Sequence, residues 1–227
     1  GATSIINTVI AKPWLTNWAV SQTIEAMESL YIQPYVNFLM LGADTKVLAN
    51  TNMRRGALIG DAVHEAINHN IQGIVSTSLH PEFQGETNVG LASFTLFVDD
   101  VRVSRGLVIK DTEVAVCSPL GFGGTIDCIF GSAAGAHISP SDHLTICDWK
   151  TGQHIDVDYF LQIAAYSLAL EYLYPTAEID AVIVQLGIDT PKYTAYYLSD
   201  LPRYQELFKV ALALYKGIKD FDIKREG

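Results

Sequence analysis

Residues 144–152 read LTICDWKTG, and this stretch with its flanks decides the fold class. Its β-branched and aromatic residues predict a strand over Leu144–Lys150. Because alternate side chains of a strand share one face, Asp148 and Lys150 lie on the same face as the apolar Leu144 and Ile146. An acid and a lysine on a buried face are costly unless they meet each other or a metal. A salt bridge at a strand end and a metal site are both open interpretations.

The segments around this strand predict the rest of a sheet. Short β-branched runs separated by Gly, Ser, Pro and Asp predict two earlier strands, at Gly106–Cys117 and Phe122–Phe130, forming a meander with it. A long apolar helix is predicted at Ile155–Tyr174, followed by strands at Ile179–Ile188 and Tyr193–Leu198. This order of elements predicts an α/β fold with a mixed central β-sheet flanked by helices.

Helical periodicity marks the remaining segments. Apolar spacing predicts helices at Asn17–Tyr31, Arg55–Asn70, Asn88–Asp99 and Pro202–Phe221. On the last helix, the residues that we place on the inner side are Leu207, Val210, Ala211, Leu214 and Ile218. Without a repeat, a linker or a block of like charge, residues 1–227 are expected to form a single domain. Its helical N-terminal part runs to about residue 100, and its sheet-and-helix core covers about 101–227.

The composition is that of a folded, acidic chain. The 227 residues include 25 acidic and 15 basic side chains, which give a formal net charge of −10, and 49% are hydrophobic. These values exclude a disordered chain. The acidic balance disfavours a broad surface for duplex DNA or anionic lipid, but it leaves room for a local groove or a carboxylate site with a metal.

Localisation and redox state also follow from the sequence. No apolar run reaches the ~18 residues that span a bilayer, and the first residues lack a secretory pattern, so we expect a cytoplasmic protein with no membrane partner. The three cysteines, Cys117, Cys128 and Cys147, are odd in number and widely spaced. We expect them to be reduced and buried.

Four groups of polar residues are candidates for chemistry. The glycine-rich segment GFGGTID, residues 121–127, places Asp127 on the strand beside Asp148. Two adjacent carboxylates repel, and one takes up a proton unless a divalent cation lies between them. Such oxygen ligands suit Mg²⁺ or Mn²⁺.

The other candidates lie on predicted helices. Gln162 and Tyr166 extend a polar stripe from Asp158, and they form either part of a site or a satisfied buried pair. His64 shares a helix face with small glycines, which leaves room beside its ring, although a lone helical histidine also fits a structural role. Arg54 and Arg55 begin that helix and are either a phosphate clamp or a solvated helix start.

Taken in order, the helix histidine, GGTID, CDWKTG and QIAAY resemble the PD-(D/E)xK nuclease superfamily. Within it, the chain is similar to the RecB-like and AddB-like exonuclease branch. The similarity runs from about Arg54 to Tyr166, and PWLTNWA at residues 13–19 is similar to the segment that opens such domains. The resemblance implies a restriction-endonuclease-like core.

The resemblance also implies a role for each matching residue. The metal ligands it implies are His64, Asp127, Asp148, the main-chain carbonyl of Trp149 and, as a further candidate, Glu113. The catalytic residues it implies are Lys150, Asp127 and Asp148, with the lysine holding or activating the attacking water. The residues it implies for contact with nucleic acid are Gln162 and Tyr166, to which the two arginines add a candidate phosphate clamp.

The expected function is a Mg²⁺- or Mn²⁺-dependent deoxyribonuclease. We expect an exonuclease that acts on single-stranded DNA ends in replication, repair or recombination, in a prokaryotic or phage-infected cell. Its partners are DNA with free ends and, as a candidate, a replication or recombination protein. Three cysteines within predicted strands do not supply the four ligands of an iron–sulfur cluster, so none is expected. The alternative is a nuclease-fold module that binds nucleic acid or protein without catalysis. An unrelated α/β hydrolase is disfavoured because the chain has no G-x-S-x-G elbow.

Overall fold

In a computed structural model of the chain, the structure describes residues 1–9, 38–74, 80–133, 138–139 and 142–220, and it describes the side chains of these residues except for 38–53 and 219–220. The helix predicted at Asn17–Tyr31 and the PWLTNWA segment lie outside the described residues. The described helices are α1 (Ala2–Val9), α2 (Phe38–Gln72), α3 (Gln84–Arg105), α4 (Val157–Leu173) and α5 (Leu201–Asp220), with a 3₁₀ turn at Pro81–Phe83. The described strands are β1 (Leu107–Ser118), β2 (Phe122–Ser132), β3 (His143–Lys150), β4 (Glu178–Leu186) and β5 (Tyr193–Tyr197).

The five strands form one mixed sheet in the order β1-β2-β3-β4-β5. All neighbours are antiparallel except β3 and β4, which are parallel and are joined through α4. The predicted α/β fold and the predicted meander are therefore confirmed. The other predicted elements each have an observed counterpart with shifted ends, and α2 begins at Phe38 rather than Arg55. The helix α1 is a further difference, because no helix is predicted before Asn17.

Helices cover both faces of the sheet, and each face has its own buried cluster. On one face, α1, α4 and α5 pack against residues such as Ile126, Ile146 and Ile183. On the other face, α2 and α3 pack against residues such as Cys147 and Trp149. The alternation expected for β3 is thus observed, because neighbouring residues enter opposite clusters.

The inner face of α5 differs from the prediction. Leu207, Val210, Leu214 and Ile218 are exposed, and of the predicted set only Ala211 is buried. The helix instead turns Phe208 and Leu212 inward. The ring of Phe208 packs against that of Phe122 at a centroid distance of 4.8 Å. The sequence carries two apolar stripes on this helix, and the one with the aromatic side chain packs against the sheet because it buries more apolar area.

The cysteines also differ in part from the expectation. All three are free thiols, and Cys128 and Cys147 are buried as expected. Cys117 is exposed, because its neighbours Val116 and Ser118 point inward and alternation along the edge strand turns it outward. Among the described helices, none has the length and apolarity required to cross a membrane.

Candidate metal centre

The edge of the sheet is distorted where β1 and β2 carry two acids. Glu113 and Asp127 lie opposite each other, because the residues on either side of them are register partners. Glu113 has a φ of +51°, which non-glycine residues rarely adopt. In β2, Ile126 and Cys128 enter opposite clusters although they are two residues apart, so alternation is interrupted at Asp127. Such distortions re-aim side chains, and here they bring like charges together, which is unfavourable without a compensating cation.

His64 from α2 completes a cluster with these two acids. One ligand atom each of His64, Glu113 and Asp127 lies within 4.8 Å of the others. The imidazole Nε2 is 3.1 Å from the carbonyl oxygen of Trp149, and Nδ1 is 3.6 Å from Oδ2 of Asp127. Since a carbonyl only accepts hydrogen bonds, the contact assigns the proton to Nε2 and leaves the Nδ1 lone pair facing the carboxylate. Nδ1 and the carboxylate oxygen are both acceptors, so their contact is favourable when a cation or a proton lies between them.

Burial and charge set the protonation of this cluster. Burial raises the pKa of Asp127 well above its ordinary value, and the neighbouring Asp148 raises it further. The backbone N–H of Trp149 donates to Oδ2 of Asp127 at 2.8 Å and opposes this shift. Burial lowers the pKa of His64, which favours the neutral ring that a metal needs. In the metal-free site, burial thus disfavours the charged form of both groups, whereas metal binding requires the deprotonated carboxylate and the neutral ring.

Asp148 and Lys150 form a buried ion pair beside the cluster. The Nζ of Lys150 lies 2.5 Å from Oδ2 of Asp148, whose side chain is 3% exposed. The contact lacks hydrogen-bond geometry, so this oxygen meets a charge but accepts no hydrogen bond from any described residue. Burial by itself lowers the pKa of Lys150, but Asp148 and Asp127 outweigh it and the net shift is upward. The lysine is thus held as an ammonium, which also lies 4.8 Å from the ring centroid of Tyr159.

A cleft of about 630 Å³ opens in front of these residues. Its walls include His64, Glu113, Trp149, Lys150, Thr151, Gly152 and Tyr159. The α2 wall also carries Asp61, Glu65 and Asn68. Sequence reasoning missed these three, although Asp61, His64, Glu65 and Asn68 follow the i, i+3, i+4, i+7 spacing of one helix face, which would have indicated them. A Cβ on Gly60 would lie 3.3 Å from Oγ1 of Thr151, so this glycine makes room for Thr151, and the room expected beside the His64 ring stays a prediction.

Gln162 and Tyr166 lie behind the site rather than among the residues that line the cleft. The Gln162 amide donates to the hydroxyl of Tyr166 at 2.8 Å and to that of Thr3 on α1 at 3.3 Å. Tyr166 is 5% exposed, and burial is the first cause of its raised pKa. The pair therefore has the satisfied, structural arrangement that was one of the two interpretations. A role in substrate binding stays a prediction.

Gly124 makes room for Tyr166, which yields a stability prediction. A Cβ at Gly124 would lie 2.3 Å from Cε1 of the Tyr166 ring. We expect Gly124→Ala to lower the free energy of unfolding by about 1–3 kcal/mol, because the ring is packed and has to move. Urea denaturation measures this, with Gly85→Ala as the control, since a Cβ there meets nothing within 4 Å. A Gly124→Ala protein as stable as the parent contradicts the prediction.

The two arginines are exposed and lie in the middle of α2, which begins at Phe38, so the expectation that they begin a helix is wrong. Arg55 forms an ion pair with Glu86 of α3, and its guanidinium carbon lies 5.3 Å from the centroid of the Phe83 ring. Arg54 is exposed. Neither residue belongs to the cleft lining, so the structure does not bring the predicted clamp together with the metal cluster.

A scan against protein-family models and a search of curated proteins returned no match to this chain.

Proposed function

We propose that the chain is a divalent-metal-dependent deoxyribonuclease, with single-stranded DNA ends as its substrate and with the restriction-endonuclease-like arrangement that its motifs resemble. The observation that carries the proposal is that two groups of residues lie next to each other around β2 and β3. One is the cluster of His64, Glu113 and Asp127, and the other is the buried pair of Asp148 and Lys150. Carboxylates beside a held ammonium suit phosphodiester hydrolysis, in which negative charge builds up on the phosphate.

The residues present fit a divalent cation. Two opposed carboxylates and a neutral imidazole nitrogen that faces one of them bring electron-pair donors together at one point. The Asp148 oxygen beside them is paired with the Lys150 ammonium. His64, Glu113 and Asp127 would hold the ion, with Asp148 and the Trp149 carbonyl adjacent. Mainly oxygen donors with one imidazole suit Mg²⁺ or Mn²⁺.

Each residue has a defined task in hydrolysis. When bound, the divalent cation lowers the pKa of a water and offsets phosphate charge. The Lys150 ammonium offsets charge on the phosphate as the P–O bond to the leaving group breaks. Asp148 holds that ammonium in place through their buried ion pair. The ring of Tyr159, a residue that lines the cleft, lies 4.8 Å from the Lys150 ammonium, and apolar surface beside the site strengthens these electrostatic interactions.

The proposal is tested with end-labelled linear and covalently circular single-stranded DNA and with a duplex of the same sequence. Each is incubated with Mg²⁺, with Mn²⁺ and with excess chelator. We expect linear single strands to be shortened only when a metal is present, and circles to persist because they have no ends. Degradation in chelator contradicts the metal site. Cutting of circles contradicts the need for ends, and DNA left intact in both metals contradicts the nuclease proposal.

His64 supports a prediction about metal choice. We expect His64→Ala to weaken metal binding in calorimetry, with a larger loss for Mn²⁺ than for Mg²⁺, because imidazole suits the softer ion. Removing one ligand from the cluster should cost on the order of tenfold to a hundredfold in affinity. His69→Ala, on the same helix, is the control. Equal affinity in the parent and His64→Ala proteins would assign His64 a structural role.

The arginine pair supports a prediction about DNA contacts. We expect the Arg54→Ala, Arg55→Ala double variant to bind single-stranded DNA more weakly in Ca²⁺. Its salt slope should flatten by up to ~0.7 per lost phosphate contact. Because Glu86 pairs with Arg55, Glu86→Gln should free that guanidinium and tighten binding. Anisotropy across a salt series measures both changes. An unchanged slope in the double variant places the strand away from these arginines.

A further inference from the structure

A second cavity opens beside the candidate metal centre. It has a volume of about 390 Å³ and shares Thr151 and Gly152 with the metal-site cleft. The two cavities therefore meet over the turn that follows β3. The remaining walls come from the end of β4, the β4–β5 loop and the start of β5. The Gly152 carbonyl, at the junction, accepts a hydrogen bond of 2.7 Å from the Gln185 amide, which fixes the turn to the sheet.

The β4–β5 loop has a fixed shape that holds Lys192 at the rim of this cavity. The Gly187 N–H donates to the Lys192 carbonyl at 2.9 Å, and a Cβ at Gly187 would lie 2.4 Å from the carbonyl oxygen of Thr190. The loop thus closes on itself without room for a side chain. The fully buried Ser93 of α3 holds both ends of the loop, since its hydroxyl is 2.8 Å from the Gly187 carbonyl and accepts from the Lys192 N–H at 3.0 Å.

The two cavities differ in charge, and this difference indicates the side on which a polyanion would leave the metal-site cleft. The metal-site cleft has acids on its α2 wall, Asp61 and Glu65, in addition to Glu113, and these outnumber Lys150, the lysine among its described lining residues. Of the described residues that line the second cavity, Asp189 and Lys192 are charged and the others are neutral, with Gln153 and Thr194 among the polar ones. A polyanion held at the metal centre is repelled by the α2 wall, so its favourable exit lies over the β3 turn.

We propose that a single strand of DNA continues from the metal centre over the Thr151–Gly152 turn into this second cavity, where the Lys192 ammonium contacts a phosphate. This inference rests on the proposed function, because it takes the DNA strand as the occupant. The neutral polar walls form hydrogen bonds with phosphate or base edges and need no fixed sequence. Asp189 on the same rim opposes the phosphate and weakens the contact.

Binding of a labelled single-stranded oligonucleotide in Ca²⁺, at several salt concentrations, tests the proposal. We expect Lys192→Gln to weaken binding on the order of threefold and to reduce the salt slope by ~0.7. We expect Asp189→Asn to tighten binding, because it removes a repelling charge from the same rim. The matched control is Lys216→Gln on α5, whose ammonium bonds the Leu120 carbonyl and lies outside both cavities, and this variant should bind like the parent.

A length series with Mg²⁺ separates the two cavities. A dinucleotide occupies the metal-site cleft alone, so its cleavage should be the same in the parent and in Lys192→Gln. Longer strands reach the second cavity, and their KM should rise in Lys192→Gln while kcat stays the same. A loss of kcat for the dinucleotide would overturn the proposal, because Lys192 would then act at the metal centre.

The outcomes distinguish this inference from the proposed function. If the parent protein shortens DNA but Lys192→Gln and Asp189→Asn both bind like Lys216→Gln, the second cavity is not the path and the nuclease proposal stands. If the parent cuts no DNA but binds it, with opposite changes in these two variants, the path stands and the catalytic proposal fails. If the parent protein does not bind single-stranded DNA, both are wrong.

Discussion

Replacing Asp127 or Asp148 with alanine is expected to abolish cleavage, with a fall in kcat of about a thousandfold or more, comparable to the loss of a preorganised electrostatic group in other enzymes. Asp127 belongs to the cluster with His64 and Glu113, and Asp148 holds Lys150 in the same cleft. Asp99→Ala on the exposed surface of α3 is the matched control and should cut like the parent. Retained turnover in either site variant contradicts the two-acid site.

Replacing Asp127 with asparagine should stabilise the protein without metal. The folded pKa of Asp127 lies well above its ordinary value because of burial and Asp148, so the folded state binds this proton more tightly than the unfolded state. Its contribution to stability therefore falls as pH rises above the unfolded pKa of about 4 towards the folded pKa. Asp127→Asn has no carboxyl to titrate at this position, so its stability should not show this decline with rising pH. We expect its melting temperature in chelator to exceed that of the parent at neutral pH, and the difference to shrink towards pH 4. Addition of Mn²⁺ should raise the melting temperature of the parent more than that of the variant.

Lys150→Met is expected to destabilise the metal-free protein by about 3–5 kcal/mol and to abolish cleavage. The methionine leaves Asp148 buried without its cation, and a broken buried ion pair costs this much because one charge remains uncompensated. Urea denaturation in chelator measures the loss.

Two further variants separate charge from shape in this pair. The Lys150→Met, Asp148→Leu double variant should regain most of the stability, since both charges are gone, and should stay inactive. Lys150→Arg keeps the positive charge, so it should unfold near the parent midpoint and cut slowly because the planar group is held differently. If Lys150→Met unfolds at the parent midpoint, the buried pair does not contribute to stability.

The sequence was sufficient for the sheet and for most of the cluster. β3 alternates between Ile146 and Asp148 on one face and Cys147 and Trp149 on the other, and this period is visible in the residues themselves. Its placement beside β2 then follows from the meander, so the nearness of Asp127 and Asp148 was predictable. These properties depend on local spacing and on neighbours in the chain.

Other features depend on contacts that spacing does not encode. Glu113 has a positive φ between two paired residues of β1, and no local motif indicates it. Gln162 is a partner of Thr3, 159 residues away, so its structural role needed α1 in place. On α5, Leu207 and Phe208 are neighbours and both apolar, so periodicity could not decide which one meets the sheet.

The register between β2 and β3 links the chemistry of the protein to its core. Cys128 pairs with Cys147, and the next step outward sets Asp127 against Asp148. A slip by one residue would part the carboxylates, but it would also turn every side chain of the slipped strand to the opposite layer. Errors of pairing during folding are thus rejected by hydrophobic packing before they yield a wrongly assembled site. A change in the identity of a core residue that keeps the inward and outward alternation of the strand therefore leaves the two acids opposite each other.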